Sequence, residues 1–308
     1  MQTDFLTKTV LMIAPASFQL NKETAVNNFY QKEDNSISLN RIQELALNEF
    51  LVLQEKLIDQ GVEVISVNDT IEPQTPDALF PNNWISFHPD GKVILYPMFA
   101  ENRRKERRLD VLDLIRSKGF ESNQIIDYSD KEIENRFLEG TGSMVLDRKN
   151  KIAYCSLSSR SHKELFYQFC KENGFKPIAF TSFQTVNKKR VPIYHTNVMM
   201  SIGNHYAMIC LDAIDAVNEK EMVIQTLYNS GKEIINLTEN QIANFAGNTL
   251  QLKGKIKDLI VMSTQAKEIL TKEQLKKLEK FGKIVDAPIP TIEKFGGGSV
   301  RCMLAEVF

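Results

Sequence analysis

Four segments of the chain repeat one pattern of apolar and polar positions. Each has a small polar residue, a short apolar run, a tight polar turn and a second apolar run. The segments are PNNWISFHPDGKVILYP, GTGSMVLDRKNKIAYCSL, HTNVMMSIGNHYAMICL and AGNTLQLKGKIKDLIVMS. Turn signals such as Asp90-Gly91 and Gly203-Asn204 between two apolar runs are typical of a β-hairpin. The pattern therefore predicts four hairpins.

A fifth copy, SVRCMLAEVF, stops after one strand at the end of the chain, and TVLMIAPAS near the start is the natural partner to complete it. The copies align at intervals of 59, 55, 51 and 54 residues. The superposed positions are Asn83, Gly142, Asn197, Asn248 and Cys302.

Amphipathic helical patterns separate the copies, for example RIQELALNEFLVLQEKLIDQG and TKEQLKKLEKFG. A hairpin plus a helix at a regular period indicates a radial or stacked repeat architecture. We expect an α/β fold in which five such units close into a five-bladed propeller, built as a single domain over residues 1–308. The alternative is ordinary α/β alternation in which the asparagines are turn residues.

Closure would bring the aligned positions and the loops before them to one mouth of a central channel. Those loops contain Asp77, Glu139, His195 and Cys302. The sequence thus predicts that these four side chains lie near one another.

Composition restricts the classes of function. The formal net charge of −1 gives no reason to expect nucleic acid or an anionic membrane as a partner. The chain has no apolar run of membrane-spanning length, and its four cysteines and four histidines show no metal-ligand or disulfide spacing. We expect a cytoplasmic protein without a metal or cofactor, with a small molecule as its partner and a homodimer as one possible assembly.

Cys302 differs from the other cysteines in its surroundings. Cys155, Cys170 and Cys210 lie in continuous apolar stretches, as inert core thiols do, whereas Cys302 follows three glycines and Arg301 in KFGGGSVRC. A flexible loop and a cation suit a reactive thiolate that a substrate can approach. The alternative is a fourth core cysteine.

Seven motifs, taken in their order along the chain, resemble those of the guanidino-group-modifying amidinotransferase and deiminase superfamily, and are most similar to its citrulline-utilisation hydrolase branch. The resemblance covers essentially the whole chain and implies a five-bladed α/β propeller, or pentein, fold. The motifs are DALFPNNW, ENRRKE, LEGTGSMVLD, SSRSH, YHTN, FAGNTLQL and GGGSVRCMLAEVF.

The resemblance also implies roles for individual residues. A cysteine near the C-terminus is the nucleophile of that superfamily, a histidine is its acid/base and a glutamate orients them. These roles fall on Cys302, His195 and Glu139.

Substrate-binding roles are implied in the same way. Asp77 corresponds to the contact with an α-amine, and Arg104 and Arg160 to contacts with a carboxylate. Arg103 is an alternative to Arg104 within the run NRRKERR.

Two departures from the superfamily pattern concern the substrate. Members that process a guanidinium usually place aspartates where this chain has Asn83 and Asn197. A guanidinium forms strong bonds with carboxylates, whereas a neutral ureido group needs both a donor and an acceptor, which an asparagine amide supplies. For Asn197, a structural turn role is an equal alternative.

The sequence therefore predicts a hydrolase that acts on the ureido group of citrulline through a covalent thiocarbamate on Cys302. Three alternatives stay open. They are an arginine dihydrolase or deiminase, a methylarginine hydrolase at the same site, and a catalytically silent amino-acid-binding protein.

Overall fold

A computed structural model describes residues 5–308. Within this range the strands form five three-stranded sheets of one topology and one separate two-stranded hairpin. In each sheet two antiparallel strands are joined by a third strand that runs parallel to the middle one. The repeated unit predicted from the sequence is confirmed, and it holds one strand more than predicted.

The strands follow the chain in order. They are β1 (Thr9–Ala14), β2 (Glu63–Asn68), β3 (Ile85–Phe87), β4 (Lys92–Leu95), β5 (Gln124–Asp127), β6 (Met144–Asp147), β7 (Ile152–Ser156), β8 (Lys176–Phe180), β9 (Phe183–Val186), β10 (Lys189–Pro192), β11 (Met200–Ile202), β12 (Tyr206–Ile209), β13 (Glu233–Asn236), β14 (Leu250–Leu252), β15 (Leu259–Ser263), β16 (Lys283–Ala287) and β17 (Ala305–Val307).

The α-helices lie mostly between the second and third strands of the sheets. They are α1 (Lys22–Ala25), α2 (Leu39–Asp59), α3 (Glu101–Arg104), α4 (Asp110–Ser117), α5 (Gly140–Ser143), α6 (Lys163–Asn173), α7 (Thr196–Met199), α8 (Val217–Asn229), α9 (Glu239–Ala243), α10 (Thr264–Ile269) and α11 (Lys272–Leu278). Short 3₁₀ turns span Pro81–Asn83, Ser129–Glu134, Leu211–Ala213 and Val300–Met303, and a π-helical turn spans Ile292–Gly296.

Helix α2 shows why the amphipathic patterns form helices. Its buried residues Ile42, Ala46, Phe50, Leu53 and Leu57 recur every three or four positions, so they form one face that packs into the core. The Ser38 hydroxyl accepts a hydrogen bond from the Arg41 N–H and caps the first turn.

The two ends of the chain meet in one sheet. Strand β1 pairs with β17 antiparallel, with Leu11 opposite Ala305, and with β2 in parallel. The expectation that the N-terminal strand completes the last repeat is confirmed. Because the pairing holds β17 in place, it also fixes the turn just before it, which carries Cys302.

Two features of the fold were not predicted. The third strands, such as β5 and β16, carry exposed and half-buried residues along much of their length, so they lack the continuous apolar run by which the hairpin strands were found. The hairpin of β9 and β10 turns at Asn187 and Lys188, which both have positive φ and resemble a type I′ turn without its usual glycine.

Neighbouring units pack on one another. Strand β17 packs against β3, β6 against β11, β11 against β14, and the turn Val300–Met303 against β15. The hairpin strands supply much of the core; β1, β7, β12 and β15 are buried along their whole length. Within residues 5–308, the structure contains no helix with the length and apolar character of a membrane span.

Candidate active site

Short helical turns carry four of the five aligned residues. Asn83 ends the 3₁₀ turn Pro81–Asn83, Gly142 lies in α5, Asn197 in α7 and Cys302 in the turn Val300–Met303. Each turn comes just before a strand. For the first three turns this is the first hairpin strand of the sheet, and for the turn with Cys302 it is β17, which pairs with β1. The aligned repeat predicts that Cys302 begins the last strand; in the structure that strand begins three residues later, at Ala305.

The Cys302 sulfur lies between two asparagine amides. The Nδ2 groups of Asn197 and Asn248 approach Sγ at 3.4 Å and 3.3 Å. Asn248 is held in turn, since its Oδ1 accepts from the Arg301 N–H at 3.0 Å and its Nδ2 also donates to the Asn197 carbonyl at 3.0 Å. Two N–H donors directed at a sulfur suit a thiolate, which accepts hydrogen bonds.

The Arg301 side chain is turned to other partners. Its guanidinium donates to the Leu304 carbonyl and to Glu306. The sequence suggested that this cation favours a thiolate at Cys302; in the structure its backbone N–H acts on the sulfur indirectly, by orienting Asn248.

His195 and Glu139 form a buried pair. The His195 Nε2 lies 2.7 Å from Glu139 Oε2, and the other carboxylate oxygen accepts from the Phe99 N–H at 2.9 Å. Since Glu139 holds Nε2, Nδ1 is the ring nitrogen left to exchange a proton with substrate or cysteine. Burial lowers the pKa of His195 to about 4, against the opposing hydrogen bond and charge of Glu139.

Glu139 stays ionised in this setting. Burial acts to raise its pKa, but Arg160, whose Nη1 is 3.5 Å from Oε2, together with His195 and Arg103 brings the pKa down to about 2. The imidazole is therefore neutral near pH 7 beside a carboxylate. A neutral His195 can accept the thiol proton and later donate it, as a general base and acid does.

Gly142 makes room for the contact between two other turns. A Cβ at this position would lie 2.3 Å from Asn83 Nδ2 and 2.8 Å from the Cε1 and Nδ1 atoms of His195. The glycine in the aligned position thus lets the Asn83 amide and the His195 ring both pack directly against α5.

Asp77 has one carboxylate oxygen bonded and one vacant. Oδ2 accepts from the Asn21 amide at 2.8 Å and from the Thr24 hydroxyl at 3.2 Å. Oδ1 is buried and has no hydrogen-bond partner in residues 5–308. Burial raises the pKa of Asp77, and the charge of Arg103 opposes this shift. A vacant buried carboxylate oxygen is a site for a cationic group.

Arg103, which the sequence left as an alternative to Arg104, lines the cavity. Arg103 is buried, and its Nη1 donates to Asn83 Oδ1 at 2.8 Å. Arg104 points elsewhere, since its guanidinium donates to the carbonyls of Met98 and Phe99 and does not line the cavity.

Arg160 closes another side of the site. Its Nε and Nη2 donate to Asn27 Oδ1 and to the Thr24 carbonyl, each at 2.9 Å, and its guanidinium lies 4.8 Å from the centre of the Tyr194 ring. The segment around α1 thereby contacts both Asp77 and Arg160 and covers the site.

These side chains surround one narrow cavity. Of the eight predicted residues, Glu139 and Asn197 lie directly behind its wall, Arg104 lies outside it, and the other five line it. The lining residues are Asn28, Asp77, Phe80, Asn83, Arg103, Arg160, Tyr194, His195, Gly296, Gly298 and Cys302.

Sequence reasoning did not single out several of these residues. Asn28 and the asparagines before it lie in an irregular segment without a repeat pattern, so no signal marked them. Tyr194 was within the YHTN motif and Gly296 and Gly298 within GGGSVRC, and their contacts with the cavity could have been inferred from those motifs. In residues 5–308 no three His, Cys, Asp or Glu side chains are grouped to hold a metal ion.

Comparison with known proteins shows which family the chain matches. A family model described as N,N dimethylarginine dimethylhydrolase, eukaryotic, matches residues 14–308. No curated protein sequence matches the chain.

Several solved structures share the fold. The N-terminal domain of ArgZ, an arginine dihydrolase from the ornithine-ammonia cycle in Cyanobacteria, bound to substrate as a cysteine-to-serine mutant, has a TM-score of 0.71 at 17% identity and 97% coverage of both chains. A mutant of AgrE in complex with L-arginine has a TM-score of 0.73 at 17% identity over 97% of this chain and 40% of the other. A mutant of DDAH from Pseudomonas aeruginosa in complex with citrulline has a TM-score of 0.67 at 13% identity, with coverage of 98% of this chain and 100% of the other.

At such identities the likeness establishes a pentein-type α/β fold, while the family model covers nearly the whole sequence. The chain therefore belongs to the N,N-dimethylarginine dimethylhydrolase family of guanidino-modifying hydrolases and is a hydrolase that acts on C–N bonds.

Proposed function

We propose that the chain hydrolyses the ureido group of L-citrulline to ornithine, ammonia and carbon dioxide. One observation carries the choice of a ureido substrate. The Oδ1 of Asn83 accepts from Arg103 at 2.8 Å, and its Nδ2 donates one N–H to Asn82 Oδ1 at 3.1 Å, so the second N–H of this cavity-lining amide is what remains for a ligand. An N–H donor suits the carbonyl oxygen of a ureido group and opposes a guanidinium, which has donors alone.

The amino-acid end of the substrate fits the polar groups on the other walls of the cavity. The vacant Oδ1 of Asp77 would accept from the α-ammonium. Arg160 would bind the α-carboxylate, since guanidinium groups form strong charge-assisted bonds with carboxylates. Arg103, in place of Arg104, would contribute only the second N–H of its Nη1, because its other groups bond Glu106 and Asn83.

The chemistry would proceed in two stages. His195 Nδ1 takes the proton of the Cys302 thiol as the sulfur attacks the ureido carbon, and it gives that proton to the terminal nitrogen, which leaves as ammonia. The resulting thiocarbamate, S–C(=O)–NH–R, then reacts with water that His195 deprotonates. Cleavage of the C–S bond returns the proton to sulfur and releases a carbamate, which breaks down to carbon dioxide and ornithine. Glu139 keeps the imidazole oriented through Nε2.

Arginine dihydrolase activity is the second candidate, and the shared fold with ArgZ and AgrE favours it. Such an enzyme passes through the same ureido stage, so the asparagines are compatible with it. A silent binding protein is the least favoured function, because a cysteine, a histidine and a glutamate are arranged together as nucleophile, base and orienting group.

Product analysis tests the proposal. The purified chain is incubated separately with citrulline, arginine and dimethylated arginine, and ammonia and amino acids are measured, with Cys302→Ala as the control. We expect ornithine from citrulline and no product from arginine. Conversion of arginine to citrulline without a further step would contradict the proposal, and so would unchanged activity of Cys302→Ala.

We also propose that the five sheets close into a five-bladed propeller formed by one domain. The pairing of β1 with β17 and the packing of each unit on the next support closure. An experimental structure in which the sheet of β14 to β16 stands apart from the sheet of β1 would contradict it.

A further inference from the structure

The Arg103 guanidinium lies between two buried carboxylates. Its Nε and Nη2 each donate to Glu106 at 2.9 Å, in a bidentate pair. The carboxylate of Asp77 is also near, with Oδ2 at 3.7 Å from Nε, which is an ion-pair distance too long for a hydrogen bond. Arg103 therefore has one carboxylate that accepts hydrogen bonds from it and one close competitor for the same Nε–H. Its Nη2 also donates to the carbonyls of Asp77 and Phe80 at 3.4 Å and 3.3 Å.

The two carboxylates differ in what surrounds them. The Glu106 side chain is fully buried, does not line the cavity, and has both oxygens on Arg103. Asp77 lines the cavity and keeps Oδ1 vacant within residues 5–308. The pairing thus assigns the buried cation to the carboxylate that no substrate can reach.

We propose that Glu106 is a positioning residue that holds Arg103 away from Asp77 and so reserves Asp77 for the α-ammonium of the substrate. This inference rests on the proposed function, in which Asp77 binds that group. Glu106 also fixes the plane of the guanidinium, and with it the Nη1 bond that orients the amide of Asn83.

A glutamine at position 106 would remove the competing charge. An amide presents a single acceptor and directs an NH₂ group at a cation, so the bidentate pair is lost. The nearest remaining carboxylate is Asp77, and a shift of about 1 Å brings its 3.7 Å separation to the length of an ordinary hydrogen bond. Arg103 would then pair with Oδ2 of Asp77, and its positive charge on that carboxylate would weaken the bond that Oδ1 offers to the substrate amine.

The test compares two substrates that differ in the α-amine alone, citrulline and 5-ureidopentanoate. The kcat/KM ratio of the pair is measured for the wild-type chain and for Glu106→Gln. We expect the wild-type chain to prefer citrulline strongly and Glu106→Gln to lower that preference at least about tenfold, the size expected for one charge-assisted hydrogen bond. A purely structural role would reduce turnover of both compounds equally and leave the ratio unchanged.

Two further variants sharpen the comparison. Glu132→Gln removes the carboxylate that pairs with Arg107 outside the cavity, and it should keep the wild-type ratio. Glu106→Asp keeps the charge and should retain more of the ratio than Glu106→Gln, which provides a second measurement if the glutamine variant folds poorly.

The outcomes separate the inference from the proposed function. A wild-type chain that prefers citrulline, together with the same ratio in Glu106→Gln, would overturn the role of Glu106 alone. A wild-type chain without preference for the α-amino compound would overturn both that role and the assignment of Asp77. If arginine and not citrulline is the substrate, the same ratio is measured with arginine and 5-guanidinopentanoate, and it tests Glu106 independently.

Discussion

Gly142→Ala is the smallest change that should disturb the site without altering a polar group. The added Cβ would lie 2.3 Å from the Asn83 amide nitrogen and 2.8 Å from the His195 ring, at separations that real Cβ atoms essentially never show. Either the Asn83 amide or the imidazole must move away, or α5 must shift as a whole.

The size of the effect follows from these overlaps. Relieving a 2.3 Å contact requires a displacement of about 1 Å, and a misplacement of that size in a catalytic arrangement can reduce the rate about 100-fold. Overpacking in a filled core costs about 1–3 kcal/mol, so the variant should still fold. Neither polar side chain is removed, so the loss should appear mainly in kcat.

Ammonia release with saturating citrulline measures kcat, and thermal unfolding measures stability. The matched control is Gly254→Ala, whose Cβ would lie 2.4 Å from the Lys257 carbonyl oxygen, away from the cavity. It should lose stability and keep its kcat. Wild-type kcat in Gly142→Ala would refute the claim that catalysis needs the Asn83 amide and the His195 ring in their positions against Gly142.

Two other predictions concern the thiols and the imidazole. Iodoacetamide should modify Cys302 faster than Cys155, Cys170 or Cys210, because burial raises the thiol pKa of those three, to about 11 for Cys210; equal rates measured by peptide mass spectrometry would contradict this. The pKa of His195 falls from the ordinary 6.5 to about 4 on folding, so its contribution to stability is complete above pH 6.5 and is lost as the pH falls towards 4. Over this pH range the free energy of unfolding in urea should fall by about 3 kcal/mol more for the wild-type chain than for His195→Gln. Equal losses in the two proteins would contradict the prediction.

The repeat was visible in the sequence because the hairpin strands are buried on both faces and read as continuous apolar runs. Alignment of the copies then placed Asn83, Gly142, Asn197, Asn248 and Cys302 together, and in the structure these turns contact one another. The half-exposed third strands have no such signal, because their stability comes from pairing with a middle strand that is distant in sequence.

The choice between Arg103 and Arg104 shows where sequence reasoning stops. Both lie in α3, and adjacent residues on a helix point about 100° apart, so the phase of a four-residue helix decides which one enters the cavity. That phase depends on the Glu106 contact and on packing, which no pattern in the sequence specifies. The contacts that Asn21 and Thr24 make with Asp77 arise from an irregular segment and are equally invisible in the sequence.

The central claim is that Cys302 acts on a neutral ureido carbon. The most direct measurement offers the enzyme equal concentrations of arginine and of citrulline that carries an isotopic label on its ureido carbon, and follows labelled and unlabelled carbon dioxide from the first turnover. The proposed function predicts that labelled carbon dioxide forms at once while arginine stays unconsumed. Consumption of arginine at the outset, ahead of the labelled citrulline, would contradict it.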